Sequence, residues 1–129
     1  MKGIVLFIST ILDLLSCGET PKESNEINLY SQRHYKVDEN QYEAFENETG
    51  IKINVVKANA DELIERLKNE GENSPADLFI TVDAGKLQKA KDLDLLQKIS
   101  SPIINQNVDV DLKDVNGYWI PITYRARIL

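Results

Sequence analysis

The stretch ADELIERLKNEGENSPADLFITVDAGKL, residues 60–87, decides the fold. Asn59 stands before it as a helix cap, with Glu62 at the third helical position. Leu63, Ile64 and Leu67 recur on one face, which predicts an amphipathic helix to about Glu70, stopped by Gly71. Ala76 to Val82 is then almost wholly apolar, the pattern of a central strand buried on both faces. Asp83 caps a further helix with Leu87, Ala90 and Leu93 turned inward. Helix, apolar strand, capped helix is the repeating unit of an α/β sheet.

Working outward, the same alternation continues. Ile27 to Tyr30 predicts a first strand. Asp38 to Thr49 predicts a helix with Asp38 as N-cap, Gln41 completing a capping box, a Val37–Tyr42 staple, and Gly50 at the end. Ile51 to Val56 is β-branched and alternating, hence a second strand. Trp119 to Tyr124 is a fourth extended segment in which Pro121 marks an edge or bulge. This βαβαβα order, with right-handed crossovers, gives a three-layer α/β unit with a mostly parallel sheet. The loops Ser31–Lys36, Ala58–Ala60, Asp83–Gly85 and Arg125–Arg127 then converge on one rim. A small doubly wound domain with no particular ligand fits this pattern equally well.

The 129 residues carry a net charge of −6 with charged residues at 28%. Nucleic acid is excluded as a partner, because a phosphate backbone demands a clustered basic surface. Residues 1–16 read as a signal peptide: Lys2 supplies the positive start, and Ile4 to Leu15 is an apolar run of about 12 residues, too short to span a bilayer. Leu14-Leu-Ser-Cys17 resembles a bacterial lipobox, with Asp13 a departure inside the apolar run. On that resemblance Cys17, the sole cysteine, is lipidated after cleavage. Residues 17–26 form a flexible tether. Residues 27–129 form the folded unit.

The segment NLYSQRHY, residues 28–35, carries the candidate chemistry. It runs from the first strand into Arg33, His34 and Tyr35 at a strand end, where open α/β sheets place ligands. His34 is the single histidine. Imidazole and phenol side by side suit a hard, highly charged metal ion, while a solvated polar loop is the plain alternative. Tyr42 and Phe45 read as core contacts of their helix, and Glu43, Glu46 and Glu48 as a solvated face. Asp109 and Asp111 lack the glycine-containing spacing of a calcium loop.

Together NLYSQRHY (28–35), FENETGIKINVV (45–56), ADELIERLKNEGENSPADLFITVDAGKL (60–87) and YWIPITYRARIL (118–129) resemble the N-terminal part of ferric-iron substrate-binding proteins of ABC importers, in the periplasmic-binding-protein superfamily. The likeness is to their cyanobacterial-type branch and runs through nearly all of the chain after the tether. It implies a two-lobed protein closing on Fe(III), of which this sequence holds the N-terminal lobe. The second lobe, with further tyrosine ligands, is missing, so the chain is read as a truncated piece. Carried over by position, the resemblance makes Tyr35 a direct iron ligand, His34 a second donor, and Arg125 a charge close to the metal. Arg33 and Arg125 are then able to balance phenolate charge or grip a synergistic anion by bidentate hydrogen bonds.

The partners implied are ferric iron and an inner-membrane ABC permease, with membrane contact through the lipid anchor alone. Fe(III) favours anionic oxygen, and a phenol, which ordinarily keeps its proton to about pH 10, yields it only to such an ion. Three other readings stand beside this one. The same fold binds another small solute, such as an oxyanion or a thiamine-like molecule, with His34 and Tyr35 as bystanders. The truncated chain binds nothing tightly and exposes apolar surface. Or His34 and Tyr35 do acid–base chemistry, although Ser31 has no evident relay and no P-loop, nucleophile elbow or HExxH occurs.

Overall fold

The computed structural model describes residues 25–123. In chain order these form β1 (Glu26–Ser31), α1 (Lys36–Thr49), β2 (Lys52–Lys57), α2 (Ala60–Glu70), β3 (Leu78–Ile80), α3 (Ala84–Asp92) and α4 (Pro102–Asn107). Single 3₁₀ turns follow α2 at Gly71–Asn73 and follow α4 at Val110–Leu112. The sheet is parallel throughout and ordered β2-β1-β3. β1 is its middle strand, with Leu29 opposite both Val55 and Leu78. Expected α/β architecture and parallel pairing are therefore present.

Successive residues of a strand point to opposite faces, and Tyr30 packs on the α2 side. It is buried with Leu63 and Leu67, while Val56, Ala58, Phe79 and Leu95 close around them. Ile64 and Ala90 are fully enclosed. The expected apolar face of α2 is the core of the lobe. Its start is as read from the sequence: the Asn59 side chain accepts the amide of Glu62 at 2.9 Å. Asp83 likewise accepts the amide of Lys86 at 3.0 Å, and Gly50 ends α1 with φ +69°, a left-handed conformation that glycine adopts without penalty.

Four expectations change. α1 begins two residues early, at Lys36, with Tyr35 in the N-cap position and no side-chain cap. Val37 thus lies inside the helix, 56% exposed, and forms no staple ahead of it. The strand placed at 76–82 shortens to Leu78–Ile80 and has β1 as its one neighbour among the described residues, with Leu78 and Val82 about half exposed instead of buried. Leu93 is the C-cap of α3 and 40% exposed, because the helix stops before its apolar stripe is complete. Residues 119–123 form no strand: no described strand lies alongside them to complete a ladder, and Pro121 has no amide to give one. Tyr124 lies outside the described residues. α4 went unread although Ser101-Pro102 is a start signal, with Ser101 accepting the amide of Ile104.

Two polar ties fix the helices. Lys91 of α3 donates to Asp114 at 2.6 Å, and the other Asp114 oxygen accepts the amide of Tyr118 at 3.0 Å. Burial pushes the Asp114 carboxyl up, yet Lys91 and the backbone amides outweigh it and hold it below its ordinary value. Asp61 of α2 bridges Lys86 and Lys89 of α3 at 2.7 and 2.9 Å. Those two ammonium groups lower its pKa from 3.8 to about 2. A depressed carboxylate pKa stabilises the fold above the unfolded value, and that contribution disappears as pH falls through the folded one. The stability gap between wild type and Asp61→Asn is therefore expected to be steady above pH 5 and to close between about pH 4 and pH 2. Urea unfolding across that range checks it; a gap that persists at pH 2 would refute the assignment.

Candidate functional site

Because all three strands run the same way, Ser31, Lys57 and Ile80 end level on one edge of the sheet. The segments 32–35, 58–59 and 81–83 leave from that edge. In a sheet of order 2-1-3 the chain crosses over between β1 and β3, and the crevice outside these strand ends is where such folds hold ligands. Three hydrogen bonds draw the loops together. Ala58 N donates to Ser31 O at 3.3 Å, Gln32 N donates to Ile80 O at 2.9 Å, and Val82 N donates to Gln32 Oε1 at 3.2 Å. Gln32 thus clips the β1 exit to the β3 exit with both its backbone and its amide.

Ser31 is buried, and its hydroxyl accepts the amide of Arg33 at 3.1 Å, which sets the turn that follows. Arg33 then points back to α1. Its Nε lies 3.1 and 3.0 Å from the two Asp38 oxygens and its Nη2 2.7 Å from Oδ1. Both side chains are about one-seventh exposed. The Asp38 carboxylate, which the sequence suggested as a helix cap, instead sits in the first turn of α1 and grips this guanidinium. Asp38 hydrogen bonding raises the Arg33 pKa further, against the effect of its burial, so the charge is permanent.

His34 and Tyr35 project at the rim. Their rings stack with centroids 5.0 Å apart and planes 26° apart. The Arg33 guanidinium carbon lies 5.2 Å from the centre of the Tyr35 ring. Tyr35 is 38% exposed, and its carbonyl accepts the amide of Asp38 at 3.0 Å. An open depression of about 400 Å³ beside them is floored by Ser31–His34 and Lys57–Asn59. Lys57 places a cation at the edge of this depression, and Glu39 offsets it at 2.7 Å.

The other tyrosine of the segment is built for a different purpose. Tyr30 is 1% exposed, and its hydroxyl donates to the two oxygens of Glu70 at 2.9 and 3.0 Å. Burial and then Glu70 push its pKa up, which makes it a poor phenolate. Arg66 lies over its ring at 4.8 Å, and Ser74 also donates to Glu70. Tyr30 anchors α2, whereas the Tyr35 ring is exposed at the rim.

A second cavity of about 260 Å³ opens on the far side of Arg33, between β3, the start of α3 and residues 119–123. Trp119 is among its lining residues, and its buried indole nitrogen has no hydrogen-bond partner among the described residues. Among the described residues no group of three or more His, Cys, Asp and Glu side chains could hold a metal ion; what the rim brings together is one imidazole, of His34, and one phenol, of Tyr35. Arg125 and Cys17 lie outside the described residues. Sequence reasoning missed Gln32, Asp38 and Lys57 as parts of this site; lone polar residues at a strand end or in a first helical turn have no periodic signature.

Comparison with known proteins places these features in context. The model of the bacterial extracellular solute-binding protein family matches residues 24–129. Iron uptake protein A1 of Synechocystis sp. is 45% identical over 124 residues, which are 90% of this chain and 34% of that protein. Among solved structures, the Trichodesmium IdiA (FutA) protein in complex with iron and citrate ligands superposes with a TM-score of 0.71 at 46% identity. That match covers 74% of this chain and 30% of the other. The ferric binding protein from Campylobacter jejuni gives a TM-score of 0.70, also at 46% identity, over 70% of this chain and 29% of its own. The chain spans about a third of the length of the relatives it matches.

Proposed function

From membership of the bacterial extracellular solute-binding protein family, to which this chain belongs, we propose that it captures ferric iron as the substrate-binding component of an iron ABC importer. The family is extracellular, so the working location is periplasmic or on the cell surface. The observation that carries the reading is the exposed Tyr35 phenol stacked on His34 at the carboxyl edge of a parallel sheet, in a chain that shares nearly half its residues with an iron uptake protein.

Tyr35 supplies an anionic oxygen and His34 a nitrogen, donors that match a hard trivalent ion with some borderline tolerance. Both lose a proton, or must lack one, to bind. Protons therefore compete with iron, and affinity falls as pH falls. A similar structure holds iron with citrate, which supports a synergistic anion here, with Arg125 as its candidate partner. Residues 27–129 act as the first lobe and further ligands come from a second. Residues 1–16 act as the export signal, and Cys17 with the tether to residue 26 as the lipid anchor. A permease in the inner membrane receives the iron. Solute capture leaves His34 no acid–base role, so we read the protein as a carrier and not an enzyme.

Titration of the metal-free chain with ferric citrate, followed by visible absorbance, tests this. A phenolate-to-iron charge-transfer band is expected, weak because one lobe supplies only part of a coordination sphere. A colourless titration accompanied by binding of an oxyanion or a cationic organic solute would assign the rim to that solute instead.

A further inference from the structure

Arg33 has two possible uses at this rim, and its geometry separates them. A guanidinium that receives an anion must offer its fork, two parallel N–H groups, to the incoming oxygens. Here one fork is already spent: Nε and Nη2 both lie on Asp38, at 2.7–3.1 Å. The pair is mostly buried, so solvent screens it weakly. The same guanidinium lies against the face of Tyr35, 5.2 Å from carbon to ring centre, and Tyr35 in turn stacks on His34. Asp38 is in the first turn of α1, where a carboxylate is also favoured by the helix dipole. The charge chain thus runs from a rigid helix through a planar fork to the donor rings.

We infer that Asp38 is a positioning residue for the metal donors: through Arg33 it holds the Tyr35 and His34 rings stacked and aimed at the rim, and Arg33 serves as a strut and not as the anion receptor. The inference rests on the iron reading for its consequence but not for its geometry. Rotamer freedom is what a donor pair on an exposed loop otherwise loses on binding, and a preset orientation removes that loss. Residues that orient metal ligands in this way typically govern affinity by roughly 10–100-fold.

The two uses predict opposite results. If Arg33 were an anion fork held off by Asp38, Asp38→Asn would free it and tighten ferric citrate binding. As a strut, Asp38→Asn weakens binding by roughly 10–100-fold. Arg33→Lys keeps the charge but loses the planar fork, so it is expected to weaken binding as Asp38→Asn does, whereas a pure charge effect would leave it near wild type. A readout free of iron comes from His34, the only histidine in the chain. Its Cε1–H proton gives one NMR line, displaced by the Tyr35 ring current. In the metal-free chain at fixed pH, that line is expected to move toward the position of an unstacked histidine in both variants. An unmoved line with unchanged or tighter binding overturns the inference. A moved line without any iron band in wild type keeps the strut and removes the iron reading. Circular dichroism confirms folding, and if Asp38→Asn fails to fold, Arg33→Lys carries both measurements.

Discussion

Replacing Tyr35 with phenylalanine is expected to abolish the visible charge-transfer band of the iron-loaded chain and to lower ferric citrate affinity by more than the roughly 100-fold that losing an outer partner costs. The substitution removes a single oxygen. It keeps the ring that stacks on His34 and the carbonyl that accepts Asp38 N, and the residue is 38% exposed, so stability should change by less than about 0.5 kcal/mol. Tyr30→Phe is the matched control. It removes the one hydroxyl that donates, bifurcated, to both Glu70 oxygens in a mostly buried network and should cost stability while leaving the band intact. Absorbance and thermal unfolding of the two variants read out the contrast. A band that survives Tyr35→Phe would place the phenolate elsewhere.

The second large effect is on stability. Ile64 is completely enclosed, on the α2 face that also buries Leu63 and Leu67. Ile64→Ala deletes three buried carbons and leaves a void that rigid neighbours fill only in part, a cost of about 2–5 kcal/mol. Domains of this size are stable by only about 5–15 kcal/mol, so the variant is expected to lose much of its unfolding free energy. Val37→Ala, on the exposed side of α1, should change it by less than about 0.5 kcal/mol. Urea denaturation of both measures the difference. Equal midpoints would mean that α2 does not carry the core.

What the sequence made legible follows from what local chemistry controls. Asn59, Asp83 and Gly50 act within one turn of their own position, and each was readable as cap or terminator. Leu63, Ile64 and Leu67 repeat at helical spacing, and their burial followed. Asp38 was misread because a carboxylate near a helix start has two possible partners. The local amide lost to Arg33, which a turn set by Ser31 brings within reach. The apolar run 76–82 promised a strand enclosed on both faces, but burial of a strand depends on its neighbours, and among the described residues β3 has one. At the site, Arg33, His34 and Tyr35 were visible as a cluster. Gln32 was not, since its function is to join two strand exits far apart in sequence.

The order β2-β1-β3 also has a consequence for how the chain reaches this structure. β1 comes first of the three strands, yet it is the one that both others pair with. Leu29 can settle only after Val55 has found it across α1 and Leu78 has found it across α1, β2 and α2. Parallel pairings of this kind close long loops before they gain any contact, which makes them slow. Until then β1 presents two unpaired edges, the state in which chains mispair with one another. Folding speed in this protein is therefore expected to be set by the second crossover, the arrival of β3.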